Sequence, residues 1–245
     1  MKKSLLWKVE KSKSVIKSAL ERFRNPCVVW SGGKDSTLML YLVIDVVKEN
    51  GFEMPWVSTC IEPLPFEENM EFQRKIVEKL GLKKVIWYKD VVKDEFYKKA
   101  GEIGKDKKKC CFWLKVMPLN NLIEKYKIDA LFVGIRWDEH PERAKEVYFS
   151  PRENPKHIRV HPILHWSWLD VWEYTKERNL PVNPLYFKGY TSLGCKCCTT
   201  IAKKGGFKDL DEIIAFIRSK RVQERAGRDI DKERVMEALR RLGYF

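Results

Sequence analysis

The sequence predicts an α/β fold with a doubly wound, mostly parallel sheet, and three observations carry that expectation. Short apolar runs alternate with segments of helical periodicity, the first run breaks into a glycine turn that opens a helix, and 245 residues suffice for one sizeable core. Strands that are apolar throughout, rather than alternately, are buried on both faces, as in parallel sheets covered by helices. The expected division is an N-terminal helix over 1–24, a main domain over 25–205 that carries the cysteine clusters, and a helical C-terminal extension over 206–245.

In the opening segment Leu5, Leu6, Val9, Val15, Ile16 and Leu20 recur at helical spacing with lysines between them, an amphipathic lead-in helix that packs on the core. After Asn25-Pro26, the run Cys27-Val28-Val29-Trp30 reads as a buried strand, and a helical pattern follows from Ser36 to Val47. Further strands are expected at Trp56 to Cys60, Val85 to Tyr88 and Ala130 to Val133, separated by helices at Glu67 to Leu80, Lys93 to Ala100 and Met117 to Lys127. From about Tyr148 prolines and tryptophans accumulate, and a long functional excursion over the sheet edge is expected. The tail from Leu210 is helical and charged; Arg218, Lys220, Arg221, Arg225, Arg228, Arg234, Arg240 and Arg241 read first as a solvated face and second as a patch for RNA or a protein.

A formal net charge of +14 implies an anionic partner: nucleotide phosphates, sulfate, nucleic acid or an acidic protein. Hydrophobic residues make up 44% of the chain, which argues against disorder. The first residues hold no continuous apolar segment of the kind a signal peptide or membrane span needs, so a cytoplasmic protein without membrane contact is expected. In that compartment the seven cysteines stay mostly reduced, and close spacing favours metal or redox chemistry over structural disulfides.

Ser31-Gly32-Gly33-Lys34-Asp35-Ser36-Thr37 lies between a strand and a helix, the context a phosphate-binding loop requires. Adjacent glycines let backbone approach phosphate oxygens, and the helix N-terminus offers amides and a favourable dipole. Ser31 and Ser36 add hydroxyls, Lys34 a charge, and Asp35 a magnesium contact or a helix N-cap. The pattern is not G-x-x-x-x-G-K, because Val28 stands where that loop has its first glycine. Arg136 and Arg143, with Lys145, follow the Ala130–Val133 strand at its carboxyl end, where an anion would sit; surface ion pairs with Asp138, Glu139 or Glu142 are the competing reading. His161 and His165 flank a proline that breaks any shared helical face, so packing or a nucleotide contact is preferred to a metal pair. Trp166, Trp168 and Trp172 read as core or lid packing.

Two cysteine clusters stand out, Cys110-Cys111 and Cys195-Lys196-Cys197-Cys198. Cys195 and Cys198 have the C-x-x-C spacing that turns two thiolates to one metal, and Cys110 with Cys111 could complete a four-thiolate site. Lys105, Lys107, Lys108, Lys109, Lys196, Lys203 and Lys204 surround them and favour thiolates. Structural zinc and a redox disulfide are the competing readings, while Cys27 and Cys60 read as small buried hydrophobes.

The Ser31–Thr37 loop resembles the PP-loop of the adenine-nucleotide alpha-hydrolase superfamily. Cys110-Cys111 followed by Lys115-Val116-Met117-Pro118-Leu119, and the run from Asn183 to Thr199, resemble segments of iron–sulfur adenylylsulfate (APS) reductases in the PAPS reductase family. A second resemblance is to the small subunit of the heterodimeric ATP sulfurylase. It rests on Gly134-Ile135-Arg136-Trp137-Asp138-Glu139, on Arg143-Ala144-Lys145-Glu146, and on the stretch from Gln223 to Asp231 with the ending Gly243-Tyr244-Phe245. These resemblances imply a Rossmann-like PP-loop fold that binds ATP, APS or PAPS on residues 31–37, with Mg2+ a candidate companion. They imply a [4Fe-4S] cluster on Cys110, Cys111, Cys195 and Cys198, and a catalytic set of Lys34, Arg136, Arg143 and Lys145. A thioredoxin-like reductant or a partner subunit is the implied partner, a homo-oligomer is expected, and RNA is the less favoured acceptor. One departure matters: the reductases carry a nucleophilic cysteine in a C-terminal Glu-Cys-Gly-Leu-His motif, and no cysteine follows Cys198 here. Adenylyl transfer from ATP to sulfate, or sulfur transfer through the cluster to RNA or another acceptor, are therefore the alternatives to sulfonucleotide reduction.

Overall fold

One sheet is built from β1 (Pro26–Val29), β2 (Trp56–Ser58), β3 (Val85–Ile86), β4 (Ala130–Val133), β5 (Phe149–Glu153) and β6 (Lys156–Val160), in the spatial order β3-β2-β1-β4-β6-β5. All neighbours are parallel except β5, which runs antiparallel to β6. The computed structural model describes residues 3–59, 62–219 and 223–242. Cys60, Lys220, Arg221 and the ending Gly243-Tyr244-Phe245 lie outside the described residues.

The inner strands explain their own sequence. Successive side chains of a strand point to opposite faces; on β1 Val28 enters the core that α1 (Lys3–Arg22) and α2 (Lys34–Asn50) cover, while Cys27 enters a second core with Ile86, Leu122, Ile123 and Leu131. Both faces are closed, so no polar residue interrupts β1. Burial in that apolar setting pushes the Cys27 thiol up to about 12, in keeping with a packing residue.

Helices α3 (Glu67–Leu80), α4 (Asp94–Ala100), α5 (Lys107–Cys111) and α6 (Met117–Lys125) follow, with a π-helical turn over Phe112–Val116 between the last two. Beyond β4 come α7 (Pro141–Ala144), α8 (Trp168–Glu177), α9 (Pro184–Phe187), α10 (Leu210–Arg218), α11 (Ile230–Arg234) and α12 (Met236–Arg241). The expected excursion after Tyr148 is corrected in one respect: it begins as the β5–β6 hairpin, which extends the sheet. Pro151, Arg152 and Glu153 disguise it because β5 is an edge strand, where proline and charge are tolerated and deter further pairing.

The C-terminal residues are integrated into the core. Ile213, Ile214 and Ile217 of α10 pack with Trp172, Tyr186 and Phe207, and Met236 and Leu239 of α12 pack on Cys111. Each such buried side chain is worth about 1.5–3 kcal/mol of transfer free energy. Among the described residues no helix is long and apolar enough to cross a membrane.

Candidate active site

From β1 the chain winds to β2 on one side and the sheet continues to β4 on the other, so a crevice opens at the carboxyl ends of β1 and β4, the usual ligand position of such sheets. Two segments meet there. β1 delivers the loop from Ser31 to Ser36, and β4 delivers Gly134 to Glu139. Gly134 makes the meeting close: a Cβ added to it would lie 3.0 Å from Ser36 Cα. Gly32 has φ +73, and a Cβ there would strike Asn69 Oδ1 at 2.3 Å.

The loop is closed by its own side chains. Ser36 Oγ accepts from Ser31 N at 3.1 Å and donates to Gly33 O at 3.1 Å, Asn183 Nδ2 donates to Gly32 O at 3.2 Å, and Lys34 N donates to Tyr186 Oη at 2.9 Å. Gly33, without a side-chain bond, is the N-cap of α2, which corrects the reading of Asp35 as a helix N-cap; Asp35 lies in the first turn. Thr37 is buried and receives Trp30 Nε1 at 3.0 Å, a support to the loop rather than part of the cleft wall.

Beneath the loop lies a buried charge network. Lys34 Nζ contacts Asp35 at 2.8 Å and also pairs with Glu224; Arg136, with no exposed surface, pairs with Asp35 and Glu224 and reaches Asp138 through Nε at 2.9 Å. Burial works against both cations, but Asp35 and Glu224 outweigh it and hold the Lys34 and Arg136 pKa values above their ordinary ranges. Carboxylate oxygens of Asp35, Glu139 and Glu224 lie within 4.8 Å of one another. Burial opposes the charge of Glu139 too, yet Arg143, at 2.5 Å, and Arg136 keep it well below the usual carboxylate range.

The cleft encloses about 200 Å3 and its wall includes Ser31, Gly33, Lys34, Asp35, Ser36, Lys115, Arg143, Arg225 and Arg228. Of the residues expected there, Arg136 is a buried strut below it. Lys145 is brought elsewhere: it is half exposed, bonds Glu142 at 2.5 Å and lines no part of the cleft. Sequence reasoning missed Glu224 as a site residue and read Arg225 and Arg228 as solvated; Glu224 and Arg228 are instead buried, and Arg225 is held by Glu233 at 2.7 Å. The signal available was their place in the Gln223–Asp231 stretch. His161 and His165 do not form a metal pair: His161 faces Glu146, and His165 bonds Tyr148 Oη at 3.1 Å and Lys8 O at 3.0 Å. Trp166 and Trp172 are core residues.

The four cysteines expected to share a metal are all buried. The two clusters converge: a Cβ added to Gly104, just before the first, would lie 3.2 Å from Cys197 Sγ in the second, and the Cys110 thiol is raised by burial and then by the neighbouring Cys111, Cys195 and Cys198. Cys195 is held low, first by a hydrogen bond from Cys197 and then, against its burial, by Lys115 and Lys232. The C-terminal stretch closes this pocket: Asp229 N donates to Cys198 O at 3.2 Å, Lys107 pairs with Asp229 at 3.1 Å, and Arg228 Nη1 donates to Thr199 Oγ1 at 3.1 Å. The four buried sulfurs, with Lys115 and Lys232 acting on Cys195, suit an anionic cluster; among the described residues no three of them lie within 4.8 Å of one another, a spacing too open for a single metal ion. Lys115 joins it to the cleft, since it lines the cleft and acts on Cys195.

Residues 25–201 match the phosphoadenosine phosphosulfate reductase domain family. The chain is 30% identical to adenosine 5'-phosphosulfate reductase 1 of Bacillus subtilis (strain 168), over 77% of this chain and 80% of that protein. It is 26% identical to sulfate adenylyltransferase subunit 2 of Brucella anthropi, over 94% of this chain and 93% of that one. Among solved structures, Candida glabrata FMN adenylyltransferase in complex with FMN and an ATP analogue superposes with a TM-score of 0.65 at 17% identity, covering 93% of this chain and 90% of that one. The phosphoadenylyl-sulfate (PAPS) reductase of Candida auris gives 0.61 at 18% identity, covering 82% and 98%. At such identities the likeness establishes the shared fold.

Proposed function

The chain belongs to the phosphoadenosine phosphosulfate reductase domain family, and on that premise we propose that it binds ATP on the Ser31–Thr37 loop and transfers the adenylyl group to an oxyanion acceptor. The observation that carries this reading is the pairing of a phosphate loop with the carboxylates of Asp35, Glu139 and Glu224, a combination suited to a nucleotide that arrives with Mg2+. Loop amides hold the phosphates. Lys115, Arg143, Arg225 and Arg228 supply charge for the departing pyrophosphate and for the acceptor, while Lys34 and Arg136 keep the carboxylates aimed. Support also comes from extent: Glu224, Arg225 and Arg228 lie beyond the matched domain, which ends at residue 201, and the similarity to sulfate adenylyltransferase subunits runs over 94% of the chain.

A second reading, handling of APS or PAPS in the manner of the iron–sulfur reductases, is favoured by the four thiols beside the cleft. Cys110, Cys111, Cys195 and Cys198 would hold a [4Fe-4S] cluster, which when bound supplies electrostatic stabilisation and positioning next to the sulfate. Anaerobically prepared protein is expected to contain about four irons per chain. Incubation with ATP plus sulfate, with APS and with PAPS, each with and without reduced thioredoxin, separates the readings. Pyrophosphate release from ATP is the expected result; sulfite release without it replaces adenylyl transfer by reduction.

A further inference from the structure

Beyond residue 201, where the matched domain ends, the chain returns to both centres of the molecule. Glu224 pairs with Lys34 and Arg136 under the phosphate loop, Arg225 and Arg228 line the cleft, and Met236 and Leu239 pack on Cys111. Between the cleft and that packing lies α11, the part of the stretch for which nucleotide binding gives no use.

The backbone is pinned where it passes the cysteines. Thr199 and Arg228 form an antiparallel bridge, Thr200 N donates to Gly227 O at 2.8 Å, and Asp229 N donates to Cys198 O at 3.2 Å. Gly194, the residue before Cys195, makes room for the strap: a Cβ there would lie 2.1 Å from Arg228 Nη1. Asp229 then caps α11, with Oδ1 accepting from Lys232 N at 3.0 Å and Oδ2 pairing with Lys107 of α5 at 3.1 Å. This holds α11 against the helix that ends in Cys110 and Cys111. Lys232 is turned inward with 0% exposure, whereas Asp231 and Arg234 of the same helix stay in solvent and pair with each other at 3.5 Å. Lysine is almost never buried to that extent unless an anion meets it. The charge of Lys232 acts on Cys195 and on Glu62, which places it on the sulfur side, and it lines no part of the cleft.

The buried and half-buried charges around the cysteines do not cancel. Glu62 pairs with Lys115 at 3.5 Å, Asp229 with Lys107 at 3.1 Å, and Glu233 with Arg225 at 2.7 Å. Arg228 and Lys232 come in addition to these pairs, so five cations face three carboxylates and positive charge is in excess by two. Four thiolates around an oxidised iron–sulfur core carry about two negative charges in all, the amount that restores neutrality.

We propose that Lys232 is a counter-ion of the iron–sulfur cluster that Cys110, Cys111, Cys195 and Cys198 would hold, a positioning residue supplied by the C-terminal stretch and not by the matched domain; the inference rests on the cluster reading. Its ammonium offsets negative charge in a pocket where water cannot. Without the cluster the same ammonium is a buried cation facing an excess of its own sign, and it weakens the fold. Lys232 therefore acts with opposite sign on the loaded and the iron-free protein, which a residue that only fills space does not do.

The test uses the full chain and Lys232→Met, which keeps the length of the side chain and removes its charge. Anaerobically prepared parent is expected to contain iron and acid-labile sulfide, and the variant is expected to lose its iron to a chelator about tenfold faster. Urea unfolding is then compared before and after the iron is removed. In the loaded form the midpoint of the variant is expected to fall below that of the parent; in the iron-free form it is expected to equal or exceed it. Equal rates of iron loss overturn the counter-ion role and leave the cluster standing. So does a variant that is weaker than the parent in both forms, failure to fold included, because that is the mark of lost packing. A parent without iron and acid-labile sulfide overturns the cluster reading and this inference with it.

Discussion

Two buried charge networks are drawn from neighbouring stretches of the chain, and they have opposite electrostatics. Under the phosphate loop, Lys34, Arg136 and Arg143 meet Asp35, Asp138, Glu139 and Glu224, so the carboxylates prevail and the Lys34 and Arg136 pKa values rise despite burial. At the sheet edge one carboxylate, Glu146, serves Arg152 at 2.9 Å, Arg240 at 2.8 Å and His161 at 3.6 Å, with buried Arg159 and His157 alongside. There burial and then Arg152 push Arg159 down to about 9. The first network borders the cleft; Glu146, Arg159 and His161 line no part of it. Buried charge, then, does not by itself mark a site. What marks the first is a surplus of carboxylate at a concave space, while the second ties the hairpin and α12 to the body of the protein.

The largest effect that tests this contrast is expected from Arg136→Ala. It leaves the buried Asp35 and Glu224 with Lys34 as their one remaining shared partner, at a cost of about 3–5 kcal/mol in denaturant unfolding, and abolishes measurable ATP-analogue binding in calorimetry. Glu146→Ala is expected to cost less, about 2–3 kcal/mol, because Arg152 and Arg240 are partly exposed and can turn to water. Its nucleotide affinity is expected to stay within twofold of the parent. Equal loss of nucleotide binding in the two variants would erase the distinction between a site and a strut.

Gly134→Ala probes the loop without touching a charge. Its new methyl would press on the backbone of Ser36, and the expected result is about 1–3 kcal/mol of destabilisation with a roughly tenfold loss of nucleotide affinity. Unchanged affinity would mean that the loop geometry tolerates displacement by β4.

The legible parts of this molecule are those whose chemistry is local. β1 and β4 show as apolar runs because both their faces are covered, and Ser31–Ser36 shows because a strand, two glycines and a helix adjoin in sequence. The cysteine pairs show because their spacing is short. The hairpin β5–β6 stayed hidden because an edge strand is selected for polarity rather than alternation. Charged residues were the hardest to place. Lys145 and Arg225 are equally basic in sequence, yet Lys145 stays half exposed and bonds Glu142 on its own short helix, while Arg225 lines the cleft and is locked to Glu233 of α11. Glu224 gave no local sign of burial, since its partners Lys34 and Arg136 come from distant strand ends.

The smallest predicted effect concerns acid stability at the sheet edge. His157 is buried, its Nδ1 lies 2.7 Å from Pro155 O, and burial, with Arg159 and Arg152 beside it, pushes its pKa from the usual 6.5 down to about 4. The folded protein therefore binds fewer protons than the unfolded chain between those values. The contribution is fully present above pH 6.5 and is lost as the pH falls toward 4, amounting to about 1–2 kcal/mol once partial solvent access is allowed for. In His157→Gln the decline of unfolding free energy over that window is expected to flatten, though not vanish, because burial depresses His161 as well. The loop network has no such acid-side feature from Lys34, whose raised pKa places its own loss of stability on the alkaline side. An unchanged slope in His157→Gln would show His157 protonating freely in the folded state, and the edge network would then be open to water rather than a sealed strut.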